Sequence, residues 1–189
     1  MTVSVISRKD AVSTTWSGGT TTEFYIFPRD GSYKERRFDL RISSATVDLE
    51  ASDFTLLPDY QRIITPLEGG FTLTYKETGE KVTLAPLEED FFDGAYHTHS
   101  IGKAIDFNVM YKKGMHAAYS VINASKKFGL ADFRFLYVPF IDAKDLTGST
   151  LNEHSLTRDT LYVSDDRSDA FVLALKKPVS LIYVSVRKA

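Results

Sequence analysis

The 189-residue chain contains no cysteine, which excludes disulfides, thiolate metal sites and a cysteine nucleophile together. It also lacks any apolar run long enough to cross a bilayer as a helix. Neither sign of charge is in marked excess: 23 basic residues stand against 25 acidic ones, a net −2. Residues 1–114 hold 13 basic and 17 acidic side chains, and the remainder 10 and 8. Neither half therefore carries the basic footprint that nucleic acid demands. The opening MTVSVISRKD reaches charge too early for the apolar stretch of a signal peptide, so the cytoplasm is the expected compartment, with no membrane partner. WSGGT (16–20) lacks the lysine and spacing of a phosphate loop, and no serine sits in a nucleophile elbow.

What is present reads as strand after strand. RFDLRISSATV (37–47) alternates, with Phe38, Leu40 and Ile42 on one face and Asp39, Arg41 and Ser43 on the other. KAIDFNVMYKKG (103–114) sets Ile105, Phe107, Val109 and Tyr111 against Asp106, Asn108 and Met110. GFTLTYKETGEKVTLAP (70–86) reads as a hairpin turning at Gly79. DAFVLALKKPVSLIYVSV (169–186) reads as another, turning at KKP. Only MHAAYSVINASKKFG (115–129) fits a short helix. Ten or more short strands separated by Gly, Pro, Asp and Asn turns predict an all-β sandwich or barrel. A break is expected near Gly114, giving an N-terminal barrel over 1–113 and a smaller C-terminal half over 114–189. Exposed strand edges on such barrels favour a homodimer.

The polar faces of these strands carry the chemistry. Arg41 and Ser43, Asp106 and Asn108, and Glu23 (sharing a face with Thr21 and Tyr25 in TTTEFYIF) are better suited to fixed hydrogen bonds than to solvation. Two readings stand. Either these faces meet water, as charged faces of antiparallel sheets commonly do, or they line a barrel interior where arginines receive a small carboxylate through bidentate forks. In YHTHS (96–100), His97 and His99 would point the same way from a strand. They lack the nearby carboxylate and third histidine of a metal-binding barrel, so no metal and no cofactor are expected.

Six segments in order, WSGGTTTE (16–23), FDLRISSA (38–45), DFTLLPDYQR (53–62), LEGG (67–70), FFDG (91–94) and IDFNVM (105–110), resemble the HutD/Ves family. The resemblance covers about residues 6–113. It implies a cupin (RmlC-like) double-stranded β-helix, or jelly roll, with two barrel-like halves in one chain and a ligand pocket in the first. Carried over residue by residue, it places Trp16, Thr20 and Glu23 from the opening segment in that pocket, with Arg41 and Ser43 from the second. Arg62 joins them, as do Phe92 and Gly94 from FFDG and Asp106 and Asn108 from IDFN. It further implies a non-catalytic binder or regulator that senses a small carboxylate, such as the histidine-degradation intermediates N-formylglutamate or urocanate. The alternative is a cupin enzyme, an isomerase or metal-dependent. There Glu23 or Asp106 would be the general base, and His97 with His99 the metal ligands.

Overall fold

A computed structural model describes residues 3–188. Strands dominate them, with a single four-residue α-helix and one 3-10 turn at Arg8–Asp10. The first strand, β1 (Ser4–Ser7), pairs antiparallel with residues Thr160–Val163. Arg8 fastens it there: its backbone amide donates to the Asp159 carbonyl, and its Nε donates to the Asp159 carboxylate, which also accepts from the Tyr137 hydroxyl at 2.6 Å. Residues 3–10 thus belong to one compact unit with 114–188, while 11–113 form the other. The sequence placed those first residues with the N-terminal barrel. Their pairing partner at the far end of the chain leaves no local signal.

The unit over 11–113 is built from β2 (Val12–Trp16), β3 (Gly19–Phe27), β4 (Leu40–Val47), β5 (Ala51–Asp53), β6 (Tyr60–Gly69), β7 (Phe71–Tyr75), β8 (Lys81–Leu84), β9 (Asp90–Asp93), β10 (Thr98–Ile101) and β11 (Ala104–Lys112). One sheet has the order β2-β3-β4-β11-β6-β9 and the other β5-β10-β7-β8. They face each other across a shared core. Ile64 and Phe92 of the larger sheet pack with Phe71, Leu73, Tyr75 and Leu84 of the smaller. The β7–β8 hairpin turns at Gly79, whose φ of +71° favours glycine. The central strands of the larger sheet, β4, β11 and β6, are buried on both faces. Leu40, Ile42, Ile63, Phe107 and Val109 lie on one, at 1% exposure or less, and the alternate residues on the other.

The second unit adds β12 (His116–Ile122), β13 (Lys126–Lys127), β14 (Phe133–Val138), α1 (Ala143–Leu146), β15 (Thr150–Leu151), β16 (His154–Ser155), β17 (Thr160–Ser164), β18 (Val172–Ala174) and β19 (Leu181–Arg187). Its sheets have the orders β1-β17-β14-β19-β12 and β13-β18-β15-β16. Its core gathers Leu136, Val138, Tyr162, Phe128, Phe171 and Leu173. Two expectations are corrected here. The 115–129 stretch forms no helix: His116–Ile122 is an edge strand paired to β19, where β-branched Val121 and Ile122 fit better than in a helical turn. The KKP segment does not close a hairpin either, because β18 and β19 lie in different sheets.

The N-terminal strand generates a test. Deleting residues 1–8 removes a ladder from β17 and leaves Asp159 without its cation. Hydrogen exchange should then show lost protection at β17 amides and unchanged protection at β11, whose ladders run to β4 and β6. Unchanged exchange at β17 would show that β1 contributes little there.

Candidate functional site

The polar alternation of the larger sheet in the 11–113 unit turns toward the smaller sheet. Register places Ile26, Arg41, Met110, Arg62 and Phe92 in one row across β3, β4, β11, β6 and β9. Glu23, Ser43, Asn108, Ile64 and Asp90 form the next row. A bulge between Glu23 and Tyr25 makes this possible. Phe24 is the extra residue, so Ile26 follows Glu23 onto the inner face while Tyr25 pairs with Ile42 on the other. Simple alternation had set Tyr25 beside Glu23, and the bulge reverses that.

Arg41 and Arg62 are each only 5% exposed, and their surroundings differ. Arg41 donates from Nε to Glu23 Oε2 at 2.6 Å and from Nη1 to Ser43 Oγ at 3.1 Å. The Tyr33 ring lies over its guanidinium at 4.2 Å. It is a satisfied ion pair. Arg62 instead sits between the rings of Phe54 and Phe92, 4.7 and 5.0 Å from their centroids, and its buried Nε has no hydrogen-bond partner. Burial pulls Arg62 below the usual arginine range, to about 10, which leaves it charged at neutral pH. Nearby, Asn108 Oδ1 is buried and also without a partner.

Asp106, 5% exposed, accepts a hydrogen bond from the Ala45 amide at 3.0 Å. Burial pushes its carboxyl up to about 6, against the opposing pull of that amide, Arg62 and Arg41. It therefore influences Arg62 at longer range without closing its open donor. On the other side, the Tyr75 hydroxyl donates to Asp90. Burial raises Tyr75 far above the usual phenol range, with Asp90 adding to the effect, so it remains a neutral donor.

Other residues named from the sequence lie elsewhere or act differently. Thr20 alternates onto the opposite face from Glu23, and its amide binds Thr46 Oγ1 at 2.9 Å. Trp16, 38% exposed, sits at the end of β2 in register with Gly19, rows away from the arginines. Its ring covers Gly18, where a Cβ would fall 2.1 Å from the indole. A Cβ at Gly19 would meet the Thr46 carbonyl at 1.9 Å. The glycine pair thus serves close packing at the hairpin end. Gly94 likewise exchanges backbone hydrogen bonds with Leu57 and Tyr60 at 2.7 and 2.9 Å. Phe92 does face Arg62. His97 and His99 engage different carboxylates, Glu77 at 2.6 Å and Asp53 at 2.8 Å. Among the described residues no three His, Asp or Glu gather as a metal site. Sequence periodicity missed Tyr33, which approaches from a loop, and Phe54 and Tyr75, which come from outside the larger sheet. A surface groove of about 360 Å³, lined by residues 69–72, 83–86 and 101, carries no charged group.

The HutD family model matches residues 8–181, and no curated protein matches the chain. HutD from Pseudomonas fluorescens SBW25, in a formate condition, is similar over 100% of both chains, at 22% identity and a TM-score of 0.81. A conserved protein of unknown function from Pseudomonas aeruginosa PAO1 is similar over 100% of both, at 21% and 0.80. The pirin YhhW from Escherichia coli, in complex with nickel(II), covers 100% of both at 9% and 0.67. At these identities the likeness carries the fold, which is the expected all-β cupin jelly roll.

Asp106 makes stability depend on pH in a defined sense. Its folded pKa of about 6 lies above the ordinary 3.8, so the folded state holds this proton more tightly than the unfolded one. Stability attributable to it should rise as pH falls through 6 toward 4, by about 3 kcal/mol in all. In urea unfolding, Asp106→Asn should flatten the profile over that range. Parallel wild-type and variant profiles would show that Asp106 does not titrate abnormally.

Proposed function

Because the chain belongs to the HutD family, we propose that it is a cytoplasmic, non-catalytic binder that senses a small carboxylate in its 11–113 barrel. One observation carries the reading: a buried, charged Arg62 with an unpartnered Nε, held between two aromatic rings. A buried cation with an open donor is poorly compensated by itself and is a strong receptor for a carboxylate oxygen. The free Asn108 Oδ1 adds a demand for a donor on the ligand. A molecule with a carboxylate beside an N–H satisfies both. N-formylglutamate, one of the intermediates the resemblance suggests, has that pattern, and formate is the smallest probe of the class. Arg41, saturated by Glu23 and Ser43, positions the rows and does not receive the ligand.

Asp106 favours a second reading, acid–base catalysis. Its pKa of about 6 would let it exchange a proton near neutrality. Turnover of a bound carboxylate, lost in Asp106→Asn while binding persists, would establish that reading over the first.

Thermal unfolding in the presence of formate, N-formylglutamate and urocanate tests binding by linkage. At least one should raise the Tm, and Arg62→Met should abolish the shift in a folded protein. Affinity should increase as pH falls from 8 to 6, by up to about tenfold per unit, because a protonated Asp106 no longer repels the anion. A shift that survives Arg62→Met, or no shift with any of the three, would remove this assignment.

A further inference from the structure

β2 (Val12–Trp16) is one edge of the six-stranded sheet in the 11–113 unit, and all five of its residues are exposed. On one side it pairs with β3 residue for residue, without a bulge. Its other side meets no strand among the described residues. Such an edge pairs readily with another strand unless it is short, charged, bulged or interrupted by proline. The remaining edges carry that protection. β9 is bounded by Asp90 and Asp93, β8 carries Lys81, and β13 is Lys126–Lys127. β5 and β16 are three and two residues long, and β1 runs straight into Arg8 and Lys9. β12 is longer, with Val121 as its one exposed large apolar side chain. β2, VSTTW, has no charge and no proline, and it exposes two such side chains, Val12 at 67% and Trp16 at 38%.

Register fixes which way those side chains face. Val12 stands opposite Glu23, Thr14 opposite Thr21 and Trp16 opposite Gly19, so Val12, Thr14 and Trp16 share the face of Glu23. A second β2 brought alongside by a two-fold axis perpendicular to the sheet must pair antiparallel, with opposed side chains on one face. Centring the axis on Thr14 pairs all five residues, and moving it to Ser13 or Thr15 loses two of them. Val12 then faces Trp16 at both ends, Ser13 faces Thr15, and Thr14 faces its own copy. These are aromatic–β-branched and hydroxyl pairs, which stabilise an antiparallel ladder, and no charge opposes a like one. The two Val12–Trp16 pairs remove from water the apolar surface that a single chain leaves in it.

We propose that β2 is the contact surface for a second copy of this chain, joined antiparallel about Thr14 so that the two six-stranded sheets become one. The pairing stands independently of the carboxylate reading for Arg62. It carries Trp16 of the partner subunit into the row of Val12, Glu23, Ser43 and Asn108, two strand spacings or about 10 Å from Glu23. The Glu23 side chain is 24% exposed, and the indole extends the row at that open end. A five-residue ladder makes a small contact, so the dimer belongs to the weak, concentration-dependent class.

Trp16 is the only tryptophan in the chain, so its emission reports on this contact directly. Sedimentation equilibrium over a concentration series should show monomer and dimer in exchange, with the emission moving to shorter wavelength as dimer forms. Thr14→Lys sets two like charges face to face and should raise the Kd about tenfold or more, and Thr14→Asp should do the same. Mixed in equal amounts, these two variants should recover both the dimer and the emission shift, because an ammonium then faces a carboxylate across the axis. Val121→Lys, on the edge of β12, should leave the equilibrium unchanged. A wild-type chain that stays monomeric, or a dimer whose Trp16 emission does not move, overturns the proposal without any variant. Loss of the dimer in Val121→Lys, or no recovery on mixing the folded Thr14 variants, overturns it as well.

Discussion

A positive charge that cannot be discharged, enclosed where water is scarce, is the constraint around which the 11–113 barrel is arranged. Arg41 and Arg62 occupy one cross-strand row, separated by Met110, so each raises the cost of burying the other. The barrel answers in two ways. Glu23 forms a direct ion pair with Arg41, and aromatic faces cover both guanidiniums. Ring faces offer a cation electrostatic attraction at little desolvation cost. That attraction is weaker than an ion pair, so Arg62 retains unmet demand where Arg41 has none. The two residues look alike in sequence and differ in what they can still accept.

The backbone irregularity at Phe24 belongs to the same arrangement. Without the extra residue, the strand beyond Glu23 would present Tyr25 inward and Ile26 outward. With it, Ile26 packs with Met110, Tyr60 and Phe38 at the end of the row that holds Arg41. Tyr60 in turn stacks on Phe38 at 4.3 Å and donates to its carbonyl at 2.8 Å. That contact ties the strand end to the loop from which Tyr33 covers Arg41. Local geometry, core packing and charge coverage are thereby set by one insertion.

Much of this was legible in the chain. Period-2 alternation separated Leu40 and Ile42 from Arg41 and Ser43, and set Asp106 and Asn108 together, because those strands are regular. Legibility failed where regularity did. A bulge carries no compositional mark, so Tyr25 was assigned to the wrong face. Trp16 read as a core filler or as a pocket wall, and its glycines as a turn; that the indole lies on Gly18 has no mark in composition or period.

The pairing of β1 with β17 has a consequence for how the molecule is made. On a ribosome, residues 4–7 emerge before the 11–113 unit, yet their partners, from Thr160 to Val163, emerge only after it. The 11–113 unit finds all its strand partners within its own span and is free to close while translation continues. The other unit must keep its first strand unpaired for most of that time, because long-range pairing waits on chain that does not yet exist. The short run Ser4-Val5-Ile6-Ser7, with only two apolar residues, suits a strand that must stay soluble while it waits.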